Sequence, residues 1–205
     1  MKFKFWAIKI SIICIIIFIL QLIYQQTTTF FILDAAKVFF EPWRLLTSIF
    51  LHANRIHILN NLFALLLFGT IAEFILGSRK FLITFFFGGI FASIVSSFFY
   101  DFSLGASGAI FAILGVLTAV RPFMVIWFYG LPMPMFAAWA VWASIDLLGI
   151  YMPAGVANFA HLAGLLFGTA YGIYLRRHAG FRWTRKKKIK ISDRDFSEWE
   201  REYMG

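Results

Sequence analysis

The sequence predicts an all-α, polytopic membrane protein built as a bundle of six membrane-spanning helices. Three observations predict it. Of the 205 residues, 61% are hydrophobic and only 14% charged, with a mean hydropathy of +0.80, whereas a soluble domain carries about a quarter charged residues. Six apolar segments approach the roughly 20 residues that a crossing helix needs. Lysine and arginine are distributed very unevenly among the connections between those segments, as they are across a bilayer.

The first span reads as Phe5–Tyr24. Lys2 and Lys4 ahead of it resemble a signal peptide, but no small-x-small cleavage site follows, so the helix is expected to be retained. Residues 25–51 form a long aromatic-rich loop containing Trp43-Arg44. A loop of this length without disorder-type composition is expected to be structured, and its aromatics suit the membrane interface. The second span reads as Asn54–Leu76, the third as Phe81–Tyr100, the fourth as Ser107–Val120, the fifth as Met135–Ile150 and the sixth as Asn158–Leu175. The fourth is short, so its start is expected below the membrane surface. Residues 1–178 thus form the membrane domain, and 179–205 a basic tail. In the tail an N-cap-like Ser192 to Asp195 precedes Phe196, Trp199 and Tyr203 at helical spacing. A short amphipathic helix on the membrane and a solvated tail both fit.

The net charge of +9 does not indicate nucleic acid, because ten of the nineteen Lys and Arg residues follow residue 175. That is the pattern of a cytoplasmic tail beside anionic lipid. With the N-terminus in the cytoplasm, sixteen basic residues lie inside and three (Lys37, Arg44, Arg55) outside. Both termini of a multi-pass cell-membrane protein are therefore expected in the cytoplasm. Cys14 alone cannot form an intrachain disulfide. Four dispersed histidines, with His52 and His57 five apart, make no metal site, and no cofactor is expected.

Polar side chains at membrane depth are costly and mark function. Ser107 opens the fourth helix in Gly105-Ala106-Ser107-Gly108, and His161 lies inside the sixth. A serine and a histidine buried in lipid suggest a nucleophile and a general base. Gly108, Ala112, Gly115 and Ala119 form a small-residue face on the fourth helix, and Ala160, Gly164, Gly168 and Gly172 form one on the sixth. Such faces let membrane helices approach closely. If these two meet, Ser107 and His161 come within hydrogen-bond reach. The unsatisfied N–H groups of a helix start favour negative charge nearby. Taken alone, the local motif also fits a serine N-cap with glycines kept for packing. His57 and Asn61, four apart on one face at the start of the second helix, could complete an oxyanion hole.

Together these pieces resemble the rhomboid family of intramembrane serine proteases. The matching residues are Gly105-x-Ser107-Gly108; His52, His57 and Asn61; Ala160, His161, Gly164 and Gly168; Trp43-Arg44; and Gly69 with Glu73. The resemblance implies a six-helix rhomboid bundle that cleaves transmembrane segments of other membrane proteins near the outer side of the bilayer. Ser107 would be the nucleophile and His161 the base, with His57, Asn61 and the Ser107 N–H holding the oxyanion. Gly105 and His52 take supporting roles, and Trp43, Arg44 and Glu73 structural ones. Many bacterial members carry a tyrosine four residues after the serine. Phe111 stands there instead, and is expected to pack against His161. Neither Asp146 nor Asp101 has a motif tying it to His161, so a Ser–His dyad held by packing is the expected arrangement. The implied partners are membrane-protein substrates and the lipid bilayer; the oligomeric state is left open. Two rivals differ in class. A catalytically silent rhomboid-like binder of membrane clients would lack the serine or the histidine, and a channel or transporter relaying protons through His57 and His161 would not need Gly-x-Ser-Gly.

Overall fold

Long apolar stretches free of proline fold as helices in hydrocarbon, where every backbone polar group must be satisfied within the chain. The computed structural model describes residues 4–128, 130–152, 155–178 and 193–204. In chain order its helices are α1 (Trp6–Ile23), α2 (Gln26–Phe31), α3 (Arg44–Thr47), α4 (Arg55–Leu76), α5 (Ser78–Ser96), α6 (Ser107–Val120), α7 (Met135–Tyr151), α8 (Asn158–His178) and α9 (Asp193–Tyr203). A π-helical turn, Leu65–Gly69, interrupts α4. Helices α1, α4 and α5 are long and apolar enough to cross a membrane, while α6 and α7 are shorter apolar helices. The third expected span begins earlier and ends sooner than the sequence suggested. Gly77, at φ +83°, breaks the chain just before Ser78, and residues 97–99 turn away from the helix.

The described chain is mostly helical, and two short antiparallel ribbons accompany the helices. Strand β1 (Leu33–Asp34) pairs with β2 (Phe102–Ser103), and β3 (Val125–Phe128) pairs with β4 (Leu131–Pro134). The first ribbon matters for the site. It ties the loop after α1 to the segment before Ser107, and the Gly105 N–H adds to this by donating to the Ser48 carbonyl at 2.9 Å. The loop itself is pinned by buried Arg44, whose Nη1 donates to the Thr29 and Ile32 carbonyls at 3.0 and 2.8 Å while its Nε pairs with Glu41. Glu73, fully buried, accepts from the Ala7 N–H at 3.1 Å and from Ser78 Oγ at 2.6 Å, fixing the start of α1 to the end of α4.

Helix α6 is the hub. Its 14 residues span about 21 Å, short of the roughly 30 Å hydrocarbon core, and all but Ser107, Phe111 and Thr118 are buried. Those three fall on one stripe. The small faces meet as the spacing predicts. Gly164 of α8 sits against the Gly108 carbonyl, Gly168 against the Ala112 carbonyl, and a Cβ on Gly172 would lie 2.7 Å from that of Ala119. In the tail, α9 forms with Phe196 and Tyr203 exposed. Ser192, expected to cap it, lies outside the described residues.

Candidate active site

Ser107 is the first residue of α6, and Ala106, not Ser107, occupies the N-cap position. The hydroxyl therefore does not cap its own helix. Instead Ser107 Oγ lies 2.8 Å from His161 Nε2 on α8. The backbone contacts at Gly164 and Gly168 are what bring two helices close enough for this bond. The first N–H groups of α6, beside Ser107, have no acceptor within the helix. A polar-lined cavity of about 20 Å³ adjoins Ser107, bounded by Ser48, Ser93, Ser96 and Ser103 among others, enough for one water molecule.

Phe111, one turn beyond the serine, lies flat against the imidazole, with ring centroids 4.3 Å apart and planes inclined by 12°. His57 comes to the site from α4. Its Nδ1 accepts the Ala53 N–H at 3.3 Å, so a neutral ring carries its hydrogen on Nε2. That nitrogen lies beside Gly105. A Cβ on Gly105 would be 2.9 Å from His57 Nε2 and 3.7 Å from Ser107 Oγ, and the residue's φ of +127° disfavours any side chain.

Asn61 and His52, the other two polar candidates around α4, have the following contacts. Asn61 is buried and donates through Nδ2 to the His57 carbonyl at 2.9 Å, one turn back in its own helix. His52 stands behind His57, edge-on at 5.2 Å between ring centroids. It is buried, and neither of its ring nitrogens meets a hydrogen-bond partner. Burial, and to a lesser degree the neighbouring His57, push its pKa down to about 4, although the Phe50 backbone slightly favours its charged form. Its backbone is firmly held, with the His52 N–H donating to Gln21 Oε1 and the His52 carbonyl accepting from Gln21 Nε2.

The His161 imidazole has a second polar neighbour besides Ser107. His161 Nδ1 lies 2.9 Å from Asp146 Oδ1 of α7. Sequence reasoning passed over Asp146 because no motif links it to His161. The signal available was its isolation: Asp146 is the one charge in the 17 residues of α7, and a buried membrane carboxylate requires a partner. Asp101, the other carboxylate weighed, is exposed, and its backbone carbonyl accepts from the Ala35 N–H at 2.9 Å.

The chain matches the Rhomboid domain family over residues 40–178. It is 31% identical to RHOMBOID-like protein 6, mitochondrial, of Arabidopsis thaliana over 66% of this chain and 44% of the relative. It is 47% identical to Rhomboid protease GluP of Bacillus subtilis (strain 168) over a shorter stretch, 39% of this chain and 16% of the relative. Rhomboid-like protease 3 of Toxoplasma gondii is 30% identical over 67% of this chain and 53% of its own length. The chain thus spans about half or less of these relatives. The family match runs from just before Trp43-Arg44 to the last residue of α8, taking in every residue of the site described above, and the chain belongs to the rhomboid family.

Proposed function

We propose that this protein is an intramembrane serine endopeptidase that cleaves transmembrane segments of other membrane proteins. The observation that supports this most is the 2.8 Å contact between Ser107 Oγ and His161 Nε2 at a helix start. In this reading His161 Nε2 takes the Ser107 proton as Oγ attacks the scissile carbonyl carbon. The carbonyl oxygen becomes an oxyanion, held by the Ser107 N–H and His57 Nε2–H, with Asn61 assisting through its second amide hydrogen. The imidazolium then gives its proton to the departing amine nitrogen as the C–N bond breaks. Water attacks the acyl-enzyme with His161 again as base, releasing the carboxylate product and restoring the Ser107 hydroxyl. A substrate helix hides its peptide bonds in its own hydrogen-bond ladder, so segments that unwind easily, with glycine or other small residues, are the favoured substrates.

The sixteen-to-three Lys and Arg asymmetry supports six crossings, with both termini in the cytoplasm and the site toward the outer side. A silent client-binding protein has no use for a serine and histidine held at reacting distance. Fluorophosphonate labelling separates the two readings. The wild-type protein is expected to label and to cleave a reporter transmembrane substrate, and Ser107→Ala and His161→Ala to do neither. Cleavage persisting in Ser107→Ala would end the serine mechanism.

A further inference from the structure

We infer that Asp146 is a positioning residue, completing a Ser107–His161–Asp146 triad across three helices. This rests on the serine-protease reading above and extends it. A carboxylate can only accept a hydrogen bond. At 2.9 Å from His161 Nδ1, Asp146 places the imidazole hydrogen on that nitrogen and leaves the Nε2 lone pair for the Ser107 hydroxyl. It also stabilises the imidazolium that forms during attack, without itself taking the proton.

The placement is built, not incidental. Helices α7 and α8 run antiparallel and touch in step at three levels. Trp139 Nε1 donates to Thr169 Oγ1 at 3.0 Å, Asp146 meets His161, and Gly149 leaves room for Asn158, whose Oδ1 would lie 2.7 Å from a Cβ at 149. Asp146 lies seven residues from Trp139 and three from Gly149, so all three share the face of α7 turned to α8. The rest of that face is apolar: Met135, Ala138 and Ala143 are its other buried residues. Asp146 is 3% exposed, and an ionisable group so placed is expensive unless paired. The partner the structure gives it is the imidazole that activates Ser107. Phe111 covers one face of that ring, but stacking alone does not choose between its two tautomers; the carboxylate does.

The test uses the full chain in detergent, with kcat and KM measured on a reporter transmembrane substrate. Asp146→Asn is nearly isosteric and keeps the buried volume. It is expected to lower kcat by about 10²–10⁴-fold, the scale for loss of a triad carboxylate, with KM within about twofold and a melting temperature near wild type. A kcat within about threefold of wild type, or a loss appearing in KM alone, overturns the inference. Nitrogen-15 NMR of His161 in the wild-type protein supplies a measurement that needs no variant. Nδ1 protonated and Nε2 bare supports the triad, and the reverse tautomer overturns it. Ser107→Ala, run alongside, keeps the two claims apart. If it is inactive while Asp146→Asn is fully active, only the triad fails; if it cleaves substrate, the serine-protease reading itself fails.

Discussion

Replacing Gly164 by alanine tests whether the glycine face of α8 sets the reacting distance. A Cβ at 164 would lie 3.0 Å from the Gly108 carbonyl carbon, with the carbonyl oxygen nearer still. Carbon atoms rest at about 3.5–4.0 Å, so α6 and α8 must part by about 1 Å at this level. Both neighbours are backbone, which cannot swing aside as a side chain can. Ser107 adjoins Gly108, and His161 lies one turn from Gly164. The same displacement therefore opens the 2.8 Å Ser107–His161 bond to roughly 3.8 Å, beyond hydrogen-bond reach. A misplacement of about 1 Å can cost on the order of 10²-fold in rate, and overpacking adds about 1–3 kcal/mol of destabilisation. The assay is turnover of a reporter substrate and fluorophosphonate labelling, paired with thermal melting in the same detergent. Leu166→Ala, on the exposed side of the same helix, is the control and should keep wild-type turnover. Gly164→Ala cleaving within threefold of wild type would refute the claim that this contact fixes the reacting geometry.

Three further outcomes are expected. Phe111→Tyr should be nearly neutral because the ring stack is kept. Phe111→Ala should cut turnover and lower stability by about 2–3 kcal/mol, below the roughly 3–5 of a fully buried ring because Phe111 is only half-buried; wild-type behaviour of the alanine variant in both assays would show that the ring does not hold His161. His57→Ala should reduce turnover by about 10²–10³-fold and Asn61→Ala by less, since the Asn61 amide already donates to its own helix; the opposite order in kcat would reassign the oxyanion donor. His52, its pKa pushed down to about 4 from 6.5, takes up a proton less readily folded than unfolded, so stability should fall as pH drops below about 6.5, by on the order of 3 kcal/mol once pH reaches about 4. His52→Leu removes this term at little cost at pH 7.5, because no ring hydrogen bond is lost, and equal melting-temperature slopes for the two proteins between pH 7 and 5 would disprove it.

The sequence by itself determined what local pattern can carry. Apolar runs with a helical period placed α4, α6, α7 and α8 to within a few residues, because in hydrocarbon a continuous apolar chain has little choice but helix. Small residues at spacings of three and four on α6 and of four on α8 foretold that the two helices would meet face to face, and so that Ser107 would reach His161. The ring of Phe111, one turn from the serine, followed from the same geometry. Tertiary structure decided what depends on neighbours distant in the chain. The β1–β2 ribbon joins residue 33 to residue 103, and two residues per strand are too few to show a period of two. That Asn61 donates to the His57 carbonyl, and that His52 stands behind His57, depends on how α4 is seated in the bundle. Asp146 is the clearest case. The sequence offered no motif to tie it to His161, and only the antiparallel seating of α7 on α8, with Gly149 against Asn158 and Trp139 against Thr169, brought it to that imidazole.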